Sequence, residues 1–162
     1  QKGVLFSGTI DSNIRYGKPE ITDAQVKEAA EVAQATEFID TKPEKYKSPV
    51  SQGGTNVSGG QKQRLSIARA IAKDPEIFIF DDSFSALDFK TDSQLRKALK
   101  EYTKDATTVI VAQRISTILG ADQIIVLDDG HMAGIGTHKE LMANCEVYQQ
   151  IARSQLSEEE LA

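Results

Sequence analysis

Four consecutive apolar residues, Ile77-Phe78-Ile79-Phe80, closed by Asp81-Asp82, constrain this chain more than any other feature. Such a run fits a strand buried on both faces of a parallel sheet. Its neighbours agree. A helix reads over residues 61–73, with Leu65, Ala68, Ile71 and Ala72 on one face and Pro75 just past its end. Another reads over 91–102. Two further β-branched runs follow at 108–112 and 123–127, and Asp129-Gly130 turns the last of them into 131–135 as a hairpin. Thr137 and Glu140 form a capping box that opens a final helical stretch, fraying in the acidic residues 157–160. The first half is mostly helical instead. Thr22 and Gln25 cap a helix whose buried face is Val26, Ala29, Ala30 and Ala33, and residues 41–56 read as loop. The sum is an α/β layered core with a helical insertion ahead of it. Three or four strands make a thin sheet, so strands are expected to be missing on the N-terminal side.

Composition narrows the function. At 162 residues one domain is the default. A net charge of −5 argues against a generic nucleic-acid binder. No apolar run approaches the ~18–20 residues of a membrane span, and no signal peptide is visible. The chain opens on Gln1 rather than Met, which suggests a piece of something longer. Cys145 is the single cysteine, so no intramolecular disulfide framework exists. It reads as a half-buried helix residue. His131 and His138 read as solvent-side or capping residues, outside any metal spacing.

Three local features carry chemistry. Val57-Ser58-Gly59-Gly60-Gln61 leads directly into a helix. Adjacent glycines allow close backbone approach, and a serine hydroxyl with the free N–H groups of a helix start can donate to an anion. The same residues would also serve as a glycine-rich cap with no ligand. Asp81-Asp82 ends a strand where open α/β sheets place ligands; one carboxylate could hold Mg2+ and the other orient a water, or both could be a solvated acidic pair. Gln113, at the end of the next strand in Val109-Ile110-Val111-Ala112-Gln113-Arg114, would point to the same edge, or be a plain turn residue.

In this order and spacing, these segments resemble the ATP-binding-cassette (ABC) ATPases, and within them the nucleotide-binding domain of ABC exporters. Gln1, in Gln1-Lys2-Gly3-Val4-Leu5-Phe6, is similar to the family's Q-loop glutamine. Ser51-Gln52-Gly53-Gly54 resembles the exporter X-loop, which meets the transmembrane coupling helices in that family. Val57 to Gln61 resembles the signature motif, with Val in place of Leu. Ile77 to Asp81 resembles Walker B, and Ser85-Ala86-Leu87-Asp88 the D-loop. The resemblance implies a P-loop NTPase fragment with a partial, mostly parallel sheet: residues 1–10 as Q-loop, 11–73 as helical subdomain with X-loop and signature motif, and 74–162 as the second half of a RecA-like core. It implies ATP and Mg2+ as cofactors, with Gln1 and Asp81 at the metal. It places Ser58, Gly59, Gly60 and Gln61 on the nucleotide of a partner cassette docked head-to-tail, and Asp88 across that interface.

Three departures shape the expectation. The Walker A loop, Gly-x-x-x-x-Gly-Lys-[Ser/Thr], is absent, so the chain by itself is expected to bind ATP poorly and to be inactive. Asp82 stands where the family has its catalytic glutamate, one methylene shorter, and ~1 Å of misplacement can cost about 10²-fold. Gln113 stands for the switch histidine; it can hydrogen-bond a phosphate but carries no charge. The pair resembles one half of a heterodimeric exporter with one degenerate ATP site. This half would turn over its own ATP slowly while its signature segment completes the competent site of its partner. A transmembrane domain would precede it in the same chain, placing the cassette on the cytoplasmic face of the membrane. The alternatives are a non-transporter ABC ATPase, disfavoured by the exporter-like stretch over residues 1–10, and a non-catalytic interaction module.

Overall fold

Side-chain caps decide where most helices begin. In the computed structural model, which describes residues 3–81, 83–84 and 86–157, reciprocal capping boxes open α1 (Ile10–Ile14) with Thr9 and Ser12, α2 (Asp23–Val32) with Thr22 and Gln25, α4 (Gly59–Ala72) with Ser58 and Gln61, and α7 (His138–Asn144) with Thr137 and Glu140. A serine or threonine cap contributes about 1 kcal/mol by satisfying first-turn N–H groups that have no acceptor within the helix. Asp88 opens α5 (Phe89–Tyr102) in the same way, and α3 (Thr36–Asp40) has no side-chain cap.

The chain divides into two compact units, residues 1–109 and 110–162, each with its own apolar core. In the first, α4 buries Leu65, Ala68, Ile71 and Ala72, the face expected from its spacing, among Val26, Ala29 and Ala30 of α2, Ile10 and Ile14 of α1, and Leu95 and Leu99 of α5. The segment read as loop, 41–56, contains helical turns at Lys45–Lys47 and Gln52–Gly54 and the short strand β2 (Pro49–Val50). This pairs antiparallel with β1 (Gly8–Thr9).

The apolar run is β3 (Ile77–Asp81), paired with β4 (Thr107–Val111). Thr107 N–H donates to Glu76 O at 2.9 Å. The two strands therefore start side by side and run in the same direction, with α5 as the crossover between them. Burial is one-sided, contrary to the expectation: Phe78 and Phe80 are 3% and 4% exposed, Ile77 and Ile79 59% and 70%. Strand alternation turns the phenylalanines into the helical core, and among the described residues no layer covers the other face.

In the second unit, β5 (Ile124–Asp128) and β6 (His131–Gly136) form the expected hairpin, with a bulge between Val126 and Leu127. Asp129 and Gly130 both take positive φ, 46° and 79°, as a two-residue turn matched to strand twist requires. Ile124 and Val126 pack with Ile115 of α6 (Ile115–Ile118), Leu141 of α7, and Tyr148 and Ala152 of α8 (Glu146–Gln155). Two residues differ from expectation. Cys145 is buried and sits at an extended break between α7 and α8, with its thiol 2.9 Å from where a Cβ on Gly134 would lie. His138, read as a solvent-side or capping residue, is half-buried in the first turn of α7, with its Nδ1 2.8 Å from the hydroxyl of the buried Tyr148.

Candidate functional site

The tip of α4 is built so that one side chain both caps the helix and stays available. Ser58 Oγ accepts from Gln61 N–H at 3.2 Å, and Gln61 Oε1 accepts from Ser58 N–H at 3.2 Å. The serine oxygen is used as an acceptor, so its own hydrogen is left to donate outward. Ser58 and Gly59 are exposed, and the first-turn N–H groups at Gly59 and Gly60 point along the axis with the positive end of the helix dipole behind them. The arrangement suits an anion.

Ala86 and Leu87 back the tip. A Cβ on Gly60 would lie 3.2 Å from the carbonyl oxygen of Ala86, so glycine is what allows the close approach. Ala86 N–H in turn donates to Oε1 of the buried Gln63 at 3.1 Å. Gln63 was not singled out in the sequence, where it reads as one polar residue among several on an amphipathic helix. One turn along, Arg64 donates to Gln34 O at 2.7 Å and lies 4.8 Å over the Phe38 ring. Burial pulls its pKa down, and the charges of Asp88 and Glu37 pull it back up.

The acidic candidates fall in different places. Asp81 ends β3, half-buried, with its carbonyl oxygen accepting from Ser83 Oγ at 3.4 Å. Asp88 accepts from Thr91 N–H at 2.9 Å, and that backbone donor, aided by the Thr91 hydroxyl and Arg64, holds its carboxyl below the usual aspartate range. Asp82 and Gln1 lie outside the described residues. Gln113 belongs to the second unit, just past β4. Its side chain is exposed and its carbonyl oxygen accepts from Gln155 Nε2 at 2.8 Å, while Gln155 Oε1 accepts from Ile115 N–H at 2.9 Å. Gln155 thus pins the backbone around Gln113 from 42 positions downstream, a link with no local signal in the sequence.

The glycine-rich segment 51–54 clasps the residues that follow Gln1. Gly53 N–H donates to Leu5 O at 2.9 Å, and Ser7 N–H donates to Gln52 Oε1 at 3.1 Å. Gly53 itself takes φ 70° with open space where a side chain would stand.

Comparison with known proteins bears on this geometry. Residues 1–85 match the family model described as ABC transporter. The chain is 47% identical over 158 residues to an ABC transporter ATP-binding protein of Mycobacterium tuberculosis, covering 96% of this chain and 27% of that protein. It is 46% identical over 151 residues to a Staphylococcus aureus protein named for multidrug export as an ATP-binding/permease protein, covering 93% and 26%. It is also similar to the structure of a bacterial Atm1-family ABC exporter with ATP bound, with a TM-score of 0.91 at 37% identity, covering 98% of this chain and 28% of that one. The chain therefore spans about a quarter of the length of these relatives.

Proposed function

Because this chain belongs to the ABC transporter family, we propose that it forms the later part of the ATP-binding cassette of an exporter and works as half of an asymmetric pair. Residues 11–73 serve as the helical subdomain carrying the signature tip, and 74–162 as the second half of the nucleotide-binding core. A transmembrane domain in the same polypeptide holds the cassette at the cytoplasmic face of the membrane. The observation that carries this reading is the α4 tip: a capped helix start with an outward hydroxyl, exposed glycine backbone and a close-packed support behind Gly60.

The donor set fits a triphosphate. Ser58 Oγ–H and the Gly59 and Gly60 N–H groups donate to phosphate oxygens, and the α4 dipole favours their negative charge. Gln61 holds Ser58 in place and does not spend the serine hydrogen in doing so. On the chain's own side, Asp81 and Gln1 hold Mg2+, which when bound neutralises charge developing on the phosphates. Asp82 orients water from one methylene further back than a glutamate would, and Gln113 offers a neutral amide to the phosphate. Asp88 stands at the interface with the second cassette. Each of these choices keeps nucleotide contacts while weakening hydrolysis at this subunit's own site, so turnover falls to the partner's site, completed by Ser58 to Gln61.

The test is steady-state ATPase activity of the complete transporter with its partner. Asp82→Asn is expected to change turnover by less than about twofold, whereas replacing the partner's corresponding carboxylate lowers it by about 10²-fold or more. The opposite ranking would refute the asymmetric assignment.

A further inference from the structure

Arg69 stands in the last turns of α4, and among the described residues it pairs with no carboxylate. Burial is the first cause pulling its pKa down. A guanidinium withdrawn from water is costly unless its donors are met, and here they are met by the segment that follows Gln1. Nε donates to Asn13 O at 2.9 Å, Nη1 to Val4 O at 2.9 Å, and Nη2 to Asn13 Oδ1 at 3.0 Å. The guanidinium lies 5.3 Å and 5.5 Å from the centres of Phe6 and Tyr16, whose rings stack on each other at 4.1 Å. Asn13 is 1% exposed. Its Oδ1 also accepts from Phe6 N–H at 2.9 Å, and its Nδ2 donates to Phe6 O at 2.9 Å and Thr9 O at 3.0 Å. A second contact lies one turn earlier on the helix. A Cβ on Gly3 would fall 2.4 Å from Ser66 Oγ and 3.1 Å from Ser66 Cβ, so the backbone there is pressed directly onto α4.

We infer that Asn13 and Arg69 are positioning residues that lock the segment after Gln1 to α4, so that this segment and the Ser58-Gly59-Gly60-Gln61 tip move as one body. The helix between tip and clasp is unbroken from Gly59 to Ala72. It spans about 16 Å from Ser58 to Arg69 at 1.5 Å per residue. A displacement of residues 3–9 is therefore carried to the far end of a rigid rod, and the reverse. The planar fork of arginine is what the clasp needs, because the three acceptors are met by three separate nitrogens, Nε, Nη1 and Nη2, which one ammonium point cannot replace in place. The consequence for turnover rests on the reading given above, in which Ser58 to Gln61 complete the partner's working site; the mechanical link does not.

The experiment is hydrogen–deuterium exchange with peptide-level detection on the complete transporter and its partner in lipid, comparing residues 3–9 with 59–68, alongside ATPase kinetics. Asn13→Ala and Arg69→Lys remove the polar clasp from either side; Gly3→Ala disturbs the Ser66 contact and leaves the clasp residues in place. Each is expected to speed exchange in 3–9 by roughly tenfold or more, with 59–68 unchanged, and Lys does not rescue Arg. For the two clasp variants kcat falls while KM for ATP holds, a split that general loosening would not produce. Unchanged exchange in 3–9, or a rise in both segments together, overturns the inference. Faster exchange in 3–9 alone with kcat intact upholds the clasp and instead removes its link to the turnover that the tip of residues 58–61 completes.

Discussion

Asp88 shows how one residue can hold a structural place and stand at a proposed interface. Its carboxylate caps α5 through Thr91 N–H. Its folded pKa is lowered, so the stabilisation it gives is present above the ordinary aspartate value of 3.8 and is lost as pH falls through the lower folded value. Asp88→Ala should therefore lower the melting temperature at pH 7, and the gap to the parent should close in the acid range below pH 4. A gap that persists undiminished there would show that the cap acts through something other than its charge. Glu140 is depressed by the Thr137 N–H in the same sense and should follow the same course. Gly59 and Gly60 differ in a way their adjacency conceals. A Cβ on Gly59 would stand 3.9 Å from its nearest neighbour, an ordinary contact, while one on Gly60 meets backbone oxygen at 3.2 Å. Gly59→Ala is expected to leave the melting temperature equal or higher, since alanine is favoured over glycine in a helix by up to about 1 kcal/mol. Gly60→Ala should lower it.

The elements divide by how local their cause is. The helix starts at Thr22 and Thr137 and the Asp129-Gly130 hairpin were legible in the sequence, because each rests on hydrogen bonds or φ values within a few residues, whereas α4, read from 61, begins at Gly59 under its Ser58 cap. The break between α7 and α8 at Cys145 was not: its thiol packs beside Gly134 on a different element, a contact with no local sign in the sequence. Strand β3 lies between the two. Its existence was plain from Ile77-Phe78-Ile79-Phe80, yet a run apolar at every position cannot say which face is covered, since alternation is invisible when both sets are alike. In this chain Phe80→Ala should cost about 3–5 kcal/mol in urea unfolding, and Ile79→Thr no more than about 0.5 kcal/mol. Comparable losses at both positions would mean that the isoleucine face is covered after all.

At the scale of the molecule, what the chain contains decides what it can bind. It carries the capped α4 tip over residues 58–61 and the β3 strand ending on Asp81, and no Gly-x-x-x-x-Gly-Lys-[Ser/Thr] sequence anywhere along its length. A tip alone presents one helix start and a hydroxyl to a triphosphate, without the loop of N–H groups and the lysine that surround the phosphates in a P-loop. Equilibrium titration of the 162-residue chain with labelled ATP should therefore give no micromolar binding; a micromolar constant would mean that these residues hold nucleotide by another route. The sequence alone determined the family, most of the helix caps and the hairpin turn, because motifs and caps are short-range patterns of residue type. Only the tertiary structure decided which face of β3 is buried, that Gln63 supports the tip through Ala86, and that Asn13 and Arg69, 56 positions apart, close on each other around Phe6. Those contacts depend on where the chain returns in space, and no residue's type records which distant partner will satisfy its hydrogen bonds.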